Sequence, residues 1–126
     1  MSVPPPHLHE LEAEIMDEVW TRGDCTVREV LDALNARTPT PRAYTTVMTV
    51  MQRLDGKGLL QRERNGRHDV YVAALGREAY AQARAGAQVG ALVDEYGDVA
   101  LAHFARHMSR LDPERREQIR RLAGGD

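Results

Sequence analysis

A mainly α fold with one small β-hairpin is predicted by three features of this 126-residue chain. Apolar residues recur at helical spacing in six segments. A single Asn-Gly pair, Asn65-Gly66, lies between two runs of strand-forming residues and reads as a hairpin. The segments come in the order three helices, basic hairpin, then alanine-rich helices. The first part of that order is a winged helix-turn-helix DNA-binding domain, and the remainder reads as a C-terminal helical dimerisation segment. The expected boundaries are a disordered tip at 1–6, the winged helix-turn-helix at 7–75 and the dimerisation segment at 76–126.

Residues 1–6, MSVPPP, carry no periodic pattern. From His7 a helical period begins. Leu8, Leu11, Ile15 and Val19 align, Met16 and Trp20 stand beside them, and acids fill the other positions. This amphipathic scaffold helix should end at Gly23. Cys25 is the one cysteine, which excludes an internal disulfide or a multi-cysteine zinc site, and it reads as a small half-buried residue. Thr26 and Glu29 then have capping-box spacing ahead of a core face of Val27, Val30, Leu31 and Leu34. The prolines at 39 and 41 disfavour helix in the residues before them and force a turn.

The next helix has two different faces. Thr40 is expected as its N-cap, with Pro41 at the first helical position, where a missing N–H costs nothing. Val47, Val50, Met51 and Leu54 form the buried stripe. The opposite face carries Thr45, Met48, Thr49 and Gln52, with Arg42, Thr46 and Arg53 at its margins and no carboxylate before Asp55. Such a face meets an anionic surface without repulsion, and the second helix of a helix-turn-helix enters a major groove. The hairpin tip from Arg62 to His68 is the wing, placed for phosphate contact.

The formal net charge of −2 argues against nucleic acid only until the charges are mapped. Residues 8–32 hold eight carboxylates against Arg22 and Arg28, a local −6, whereas residues 41–68 hold six cations against Asp55 and Glu63, a local +4. A phosphate backbone feels the local surface, because charges are screened beyond a Debye length of about 8 Å. The acidic helix should therefore face away from DNA.

From Gly76 the chain turns alanine-rich. Ala79, Ala83, Ala87 and Ala91 fall at every fourth position, flanked by Gly86 and Gly90, a spacing that admits close helix–helix contact. A second helix offers Val99, Leu101, Phe104, Ala105 and Met108. Asp112-Pro113-Glu114 then opens a last helix as N-cap, first-turn proline and first-turn acid. Three short helices bury little alone, and a second copy of the chain would supply what they lack.

Other function classes find little support. Ser2 and Ser109 are the only serines and neither sits in a nucleophile-elbow pattern, and no Gly-rich phosphate loop is present, so no enzyme is expected. No apolar run is long enough to span a bilayer, the N-terminus lacks a secretory pattern, and the expected location is the cytoplasm. His103 and His107, four apart, could share one metal ion, but two ligands make no site, and no cofactor is expected. A metal- or ligand-sensing regulator and a winged helix serving protein contacts are the alternatives.

The blocks MDEVW, TVREVLDAL, AYTTVMTVMQRL and GLLQRERNGR, in this order over roughly residues 8–81, resemble the penicillinase-repressor (BlaI/MecI) family. The resemblance implies a homodimeric winged-helix repressor on a palindromic operator in double-stranded DNA. In the best-known branch a membrane-bound β-lactam sensor triggers proteolysis in the C-terminal segment, so a regulatory protease and resistance genes are implied as well. Carried onto matching positions, the DNA-facing residues are Arg42, Tyr44, Thr45, Thr46, Met48, Thr49 and Arg53, with Arg64 and Arg67 in the wing. The chain departs from its relatives at Ala73-Ala74, where proline is common, and at His68-Asp69 after the wing. It also lacks the C-terminal cysteines of the copper-responsive sister group, which argues against thiolate copper sensing.

Overall fold

A computed structural model describes residues 3–124, and the chain divides into two compact units between Ala85 and Gly86. Three helices lead the first unit: α1 (Glu10–Arg22), α2 (Val27–Asn35) and α3 (Tyr44–Gly56). Strands β1 (Leu60–Asn65) and β2 (His68–Ala73) follow as an antiparallel hairpin, and α4 (Arg77–Tyr96) runs from this unit into the next. The second unit adds α5 (Asp98–Ser109) and α6 (Pro113–Gly124).

The predicted stripes meet in one core. Ile15, Met16 and Val19 from α1, Val30, Leu31 and Leu34 from α2, and Val47, Met51 and Leu54 from α3 are all buried, closed from below by Leu59, Leu60 and Tyr71. Val50, expected in the stripe, is only partly buried at its edge. Cys25 is fully buried rather than half-buried. Its N–H donates to the Tyr71 carbonyl (3.0 Å) and its carbonyl accepts from the Tyr71 N–H (2.8 Å), so it adds a one-residue third strand to the hairpin. Burial pushes its thiol pKa up to about 11, which leaves it a poor nucleophile at neutral pH.

Two helix starts differ from expectation. α1 begins at Glu10 rather than His7, because the Glu12 carboxylate accepts from the His9 N–H (3.0 Å) and fixes the cap there. α3 begins at Tyr44, with Ala43 as N-cap in place of Thr40. The Asn35 side chain accepts from the Arg42 N–H (2.8 Å) and donates to the Arg42 carbonyl (3.1 Å), which occupies backbone groups a helix would use. The α2 capping box forms as expected, with Thr26 and Glu29 bonded reciprocally. So does the start of α6, where the Asp112 carboxylate accepts from the Arg115 N–H (2.8 Å).

The hairpin turns where the Asn-Gly pair marks it: Asn65 pairs with His68, and Gly66-Arg67 form the two-residue loop between them. Gly66 has φ 70° and, among the described residues, no non-glycine residue has positive φ, the φ signature of a type II′ turn.

The start of α4 is tied into the first unit. Trp20 donates to the Leu75 carbonyl (2.8 Å), Arg77 pairs with Asp17 (2.8 Å), and Tyr80 donates to the Pro6 carbonyl (2.7 Å). The segment expected as a disordered tip thus has its inner end bonded to α4, while Met1 and Ser2 lie outside the described residues.

The acids of α1 are used inside the domain. Glu18 pairs with Arg37 (2.6 Å) and Arg22 (2.9 Å), Glu14 with Arg42 (3.0 Å) and the buried Glu12 with Lys57. Burial alone would raise the Glu12 pKa, but the bonds from Lys57 and the His9 N–H outweigh it and hold the carboxyl below its ordinary value. A group depressed in the folded state stabilises the fold above its unfolded pKa and loses that contribution as pH falls through the folded one. Glu12→Gln is therefore expected to lower Tm at about pH 7, and the deficit should shrink as pH falls below about 4.5 in circular-dichroism melts. A deficit constant across that range would mean that the charge on Glu12 contributes nothing.

Candidate nucleic-acid interface

α3 is held against the core by Val47, Met51 and Leu54, so its other residues point outward by necessity. Its cap residue offers no side-chain bond and its first turn carries no acid, which leaves the positive end of its dipole uncompensated. Thr45, Thr46, Thr49, Gln52 and Arg53 are exposed, and Tyr44 is 40% exposed.

This outward surface divides into two depressions. Thr45, Thr46, Thr49, Val50 and Arg53 outline a shallow one of about 300 Å³. On the wing side, Tyr44, Met48 and Gln52 join Thr26, Val27 and Arg28 from the start of α2. Arg67, His68, Asp69 and Tyr71 of the hairpin close a cleft of about 160 Å³. Met48 is half-buried and lies at the base of the exposed row, against the core.

The expected DNA-facing residues are thereby sorted. Tyr44, Met48 and Arg67 share the cleft, while Thr45, Thr46, Thr49 and Arg53 share the shallow depression. Arg64 is exposed on β1 opposite Asp69, outside both. Arg42 stands apart: it precedes α3, and its guanidinium is engaged by Glu14.

Charge follows the same division. The cations beside α1, namely Arg37, Arg42 and Lys57, are balanced by its carboxylates, and Arg62 faces Asp69 at 3.8 Å. Among the described residues, Arg53, Arg64 and Arg67 form no ion pair. On the surface formed by α3 and the hairpin, the unpaired cations therefore lie at the end of the helix and along the strands and turn.

Sequence reasoning missed Arg28, whose guanidinium carbon lies 5.0 Å from the Tyr44 ring centroid, over the ring. One signal was available: a cation in the first turn of a helix opposes the helix dipole, where acids are favoured. His103 and His107 line an apolar groove in the second unit, and no three potential metal ligands cluster among the described residues.

A three-helix scaffold whose third helix exposes a face with no acid before Asp55, with a basic hairpin beside it, defines the winged helix-turn-helix class of DNA-binding domain. The sequence profile of the penicillinase repressor family matches residues 8–124. The chain belongs to that family, whose members are transcription regulators rather than enzymes. It is 39% identical over 119 residues to the transcriptional regulator BlaI of Mycobacterium tuberculosis (strain CDC 1551 / Oshkosh), a match covering 90% of this chain and 80% of that protein. Its fold matches the solution structure of the DNA-binding domain of the repressor BlaI, with a TM-score of 0.52 and 26% identity over 64% of this chain and 94% of that one. A monomeric Bacillus licheniformis BlaI in complex with the blaP half-operator matches with a TM-score of 0.51 and 26% identity, over 60% and 90% of the two chains.

Proposed function

We propose that this protein represses transcription by binding a two-fold operator as a homodimer, with α3 in the major groove and the hairpin on the adjacent backbone. The single observation that carries this reading is the exposed face of α3, which has no acid before Asp55 and is bordered by Arg53 and Arg67 with no carboxylate partner among the described residues. The relative solved with a half-operator supports it. Thr45, Thr46 and Thr49 donate to phosphates or base edges, Met48 packs on a thymine methyl, and Arg64 and Arg67 hold the backbone beside the groove.

Dimerisation through residues 76–126 rests on the second unit's surface. Leu92 (43% exposed), Tyr96 (56%) and Val99 (62%) stand open on neighbouring parts of α4 and α5, with Phe104 lining the same groove. Anything that separates the copies, proteolysis within this segment included, halves the DNA contacts and frees the operator. No described helix is long and apolar enough to cross a membrane, and a repressor acts where the chromosome is, in the cytoplasm. Resistance or other stress genes are the proposed targets, following the family.

Selection of duplexes from a random library by the intact protein at about 150 mM salt tests the reading. The expected product is a two-fold motif with half-sites about one helical turn apart. Recovery of no motif by folded protein would contradict it.

A further inference from the structure

Arg28 is a cation without a structural task. It lies one residue beyond Val27, in the first turn of α2, where its charge opposes the helix dipole. The one ion pair it forms among the described residues is with Asp32, 4.0 Å away, and both side chains are about two-thirds exposed, at 64% and 68%; Asp69 lines the same cleft as Arg28 without pairing to it. An ion pair that long and that exposed contributes little. The guanidinium is nevertheless placed, because its carbon sits over the ring of Tyr44, the first residue of α3. Stacking uses the face of a guanidinium and leaves its N–H edge free to donate. Arg28 lines the same cleft that Arg67 borders from the hairpin side.

Resting on the proposed DNA-binding function, we propose that Arg28 is a phosphate contact preorganised by Tyr44. The ring holds the guanidinium at the lip of the cleft, and its N–H groups meet a backbone oxygen on the strand that passes between α2 and the wing. The contact carries no sequence information. It raises affinity for all duplexes and orients the recognition helix on the specific one.

The test uses the intact protein, the duplex it selects from a random library and a scrambled duplex of equal length, with affinity measured across salt concentration. Arg28→Ala is expected to weaken binding to both duplexes by about tenfold and to lower the magnitude of the salt slope by about 0.9, the signature of one lost phosphate contact. Arg28→Lys should restore the slope but only part of the affinity, since an ammonium keeps the charge and loses the planar stack. Tyr44→Leu should weaken wild type more than it weakens the Arg28→Ala protein. Melting temperatures of the Arg28 variants should match wild type, given the exposure of that side chain. An unchanged salt slope in a folded Arg28→Ala protein whose wild type binds the selected duplex would overturn this proposal alone. Failure of wild type to bind any duplex would overturn the proposed function with it.

Discussion

Glutamate at both Leu92 and Val99 is expected to yield a monomer whose affinity for a two-fold duplex is lower by a factor of about 100 or more. Gly86–Asp126 has almost no interior of its own. Ala100 is its one buried apolar residue among those described, while Leu92, Tyr96, Val99, Leu101 and Leu122 are exposed. A unit this small offsets little of its ordering entropy with so little buried surface, and in the proposed dimer a second copy would supply the cover. Two carboxylates placed at the centre of that surface would have to be desolvated, at a cost of several kcal/mol each. Affinity for a single half-site should stay within about twofold, because the second recognition helix acts only through linkage to the first. Sedimentation equilibrium and titration against whole and half operators separate these outcomes. A double variant that remains dimeric would move the interface elsewhere, and a monomer with full operator affinity would remove the need for one.

Leu54→Ala is expected to destabilise the winged-helix unit by about 3 kcal/mol, a fall in Tm on the order of 15 °C. Leu54 has no exposed surface and lies on the buried side of α3, one turn from Met51 and in one core with Leu59 and the first strand residue, Leu60. Removing three carbons there leaves a cavity beneath the DNA-facing helix, and total stabilities of ~5–15 kcal/mol make such a loss serious. Thr49→Ala, on the opposite face of the same helix, should leave Tm within about 1 °C while weakening DNA binding. The pair distinguishes scaffold from contact surface, and equal Tm losses in the two variants would mean that the faces of α3 have been assigned wrongly.

How much of this was legible beforehand depended on the range of the interaction involved. Burial of Val47, Met51 and Leu54 followed from spacing along one helix, and the Thr26–Glu29 capping box from two residues three apart. The hidden features depend on residues far apart in sequence. Nothing near Pro41 announces that Asn35 will hold the Arg42 backbone and delay α3 to Tyr44. The same is true of Cys25 bonding to Tyr71, or of Arg28 crossing from α2 to stack on Tyr44. The family resemblance supplied Tyr44, which periodicity did not single out. It also included Arg42, which in this chain is bonded to Glu14.

The pairing of α1 carboxylates with Arg37, Arg42 and Lys57 bears on how such a protein finds its target. A chromosome offers about 10⁶–10⁹ competing sequences, and every unneutralised cation lengthens the dwell on each of them alike. With these counterions on its own scaffold helix, the domain holds three positive charges neutralised, and on the proposed function that would leave Arg53, Arg64 and Arg67 to meet the duplex. Fewer copies are then sequestered on irrelevant DNA, and a small number of molecules suffices to keep a promoter occupied.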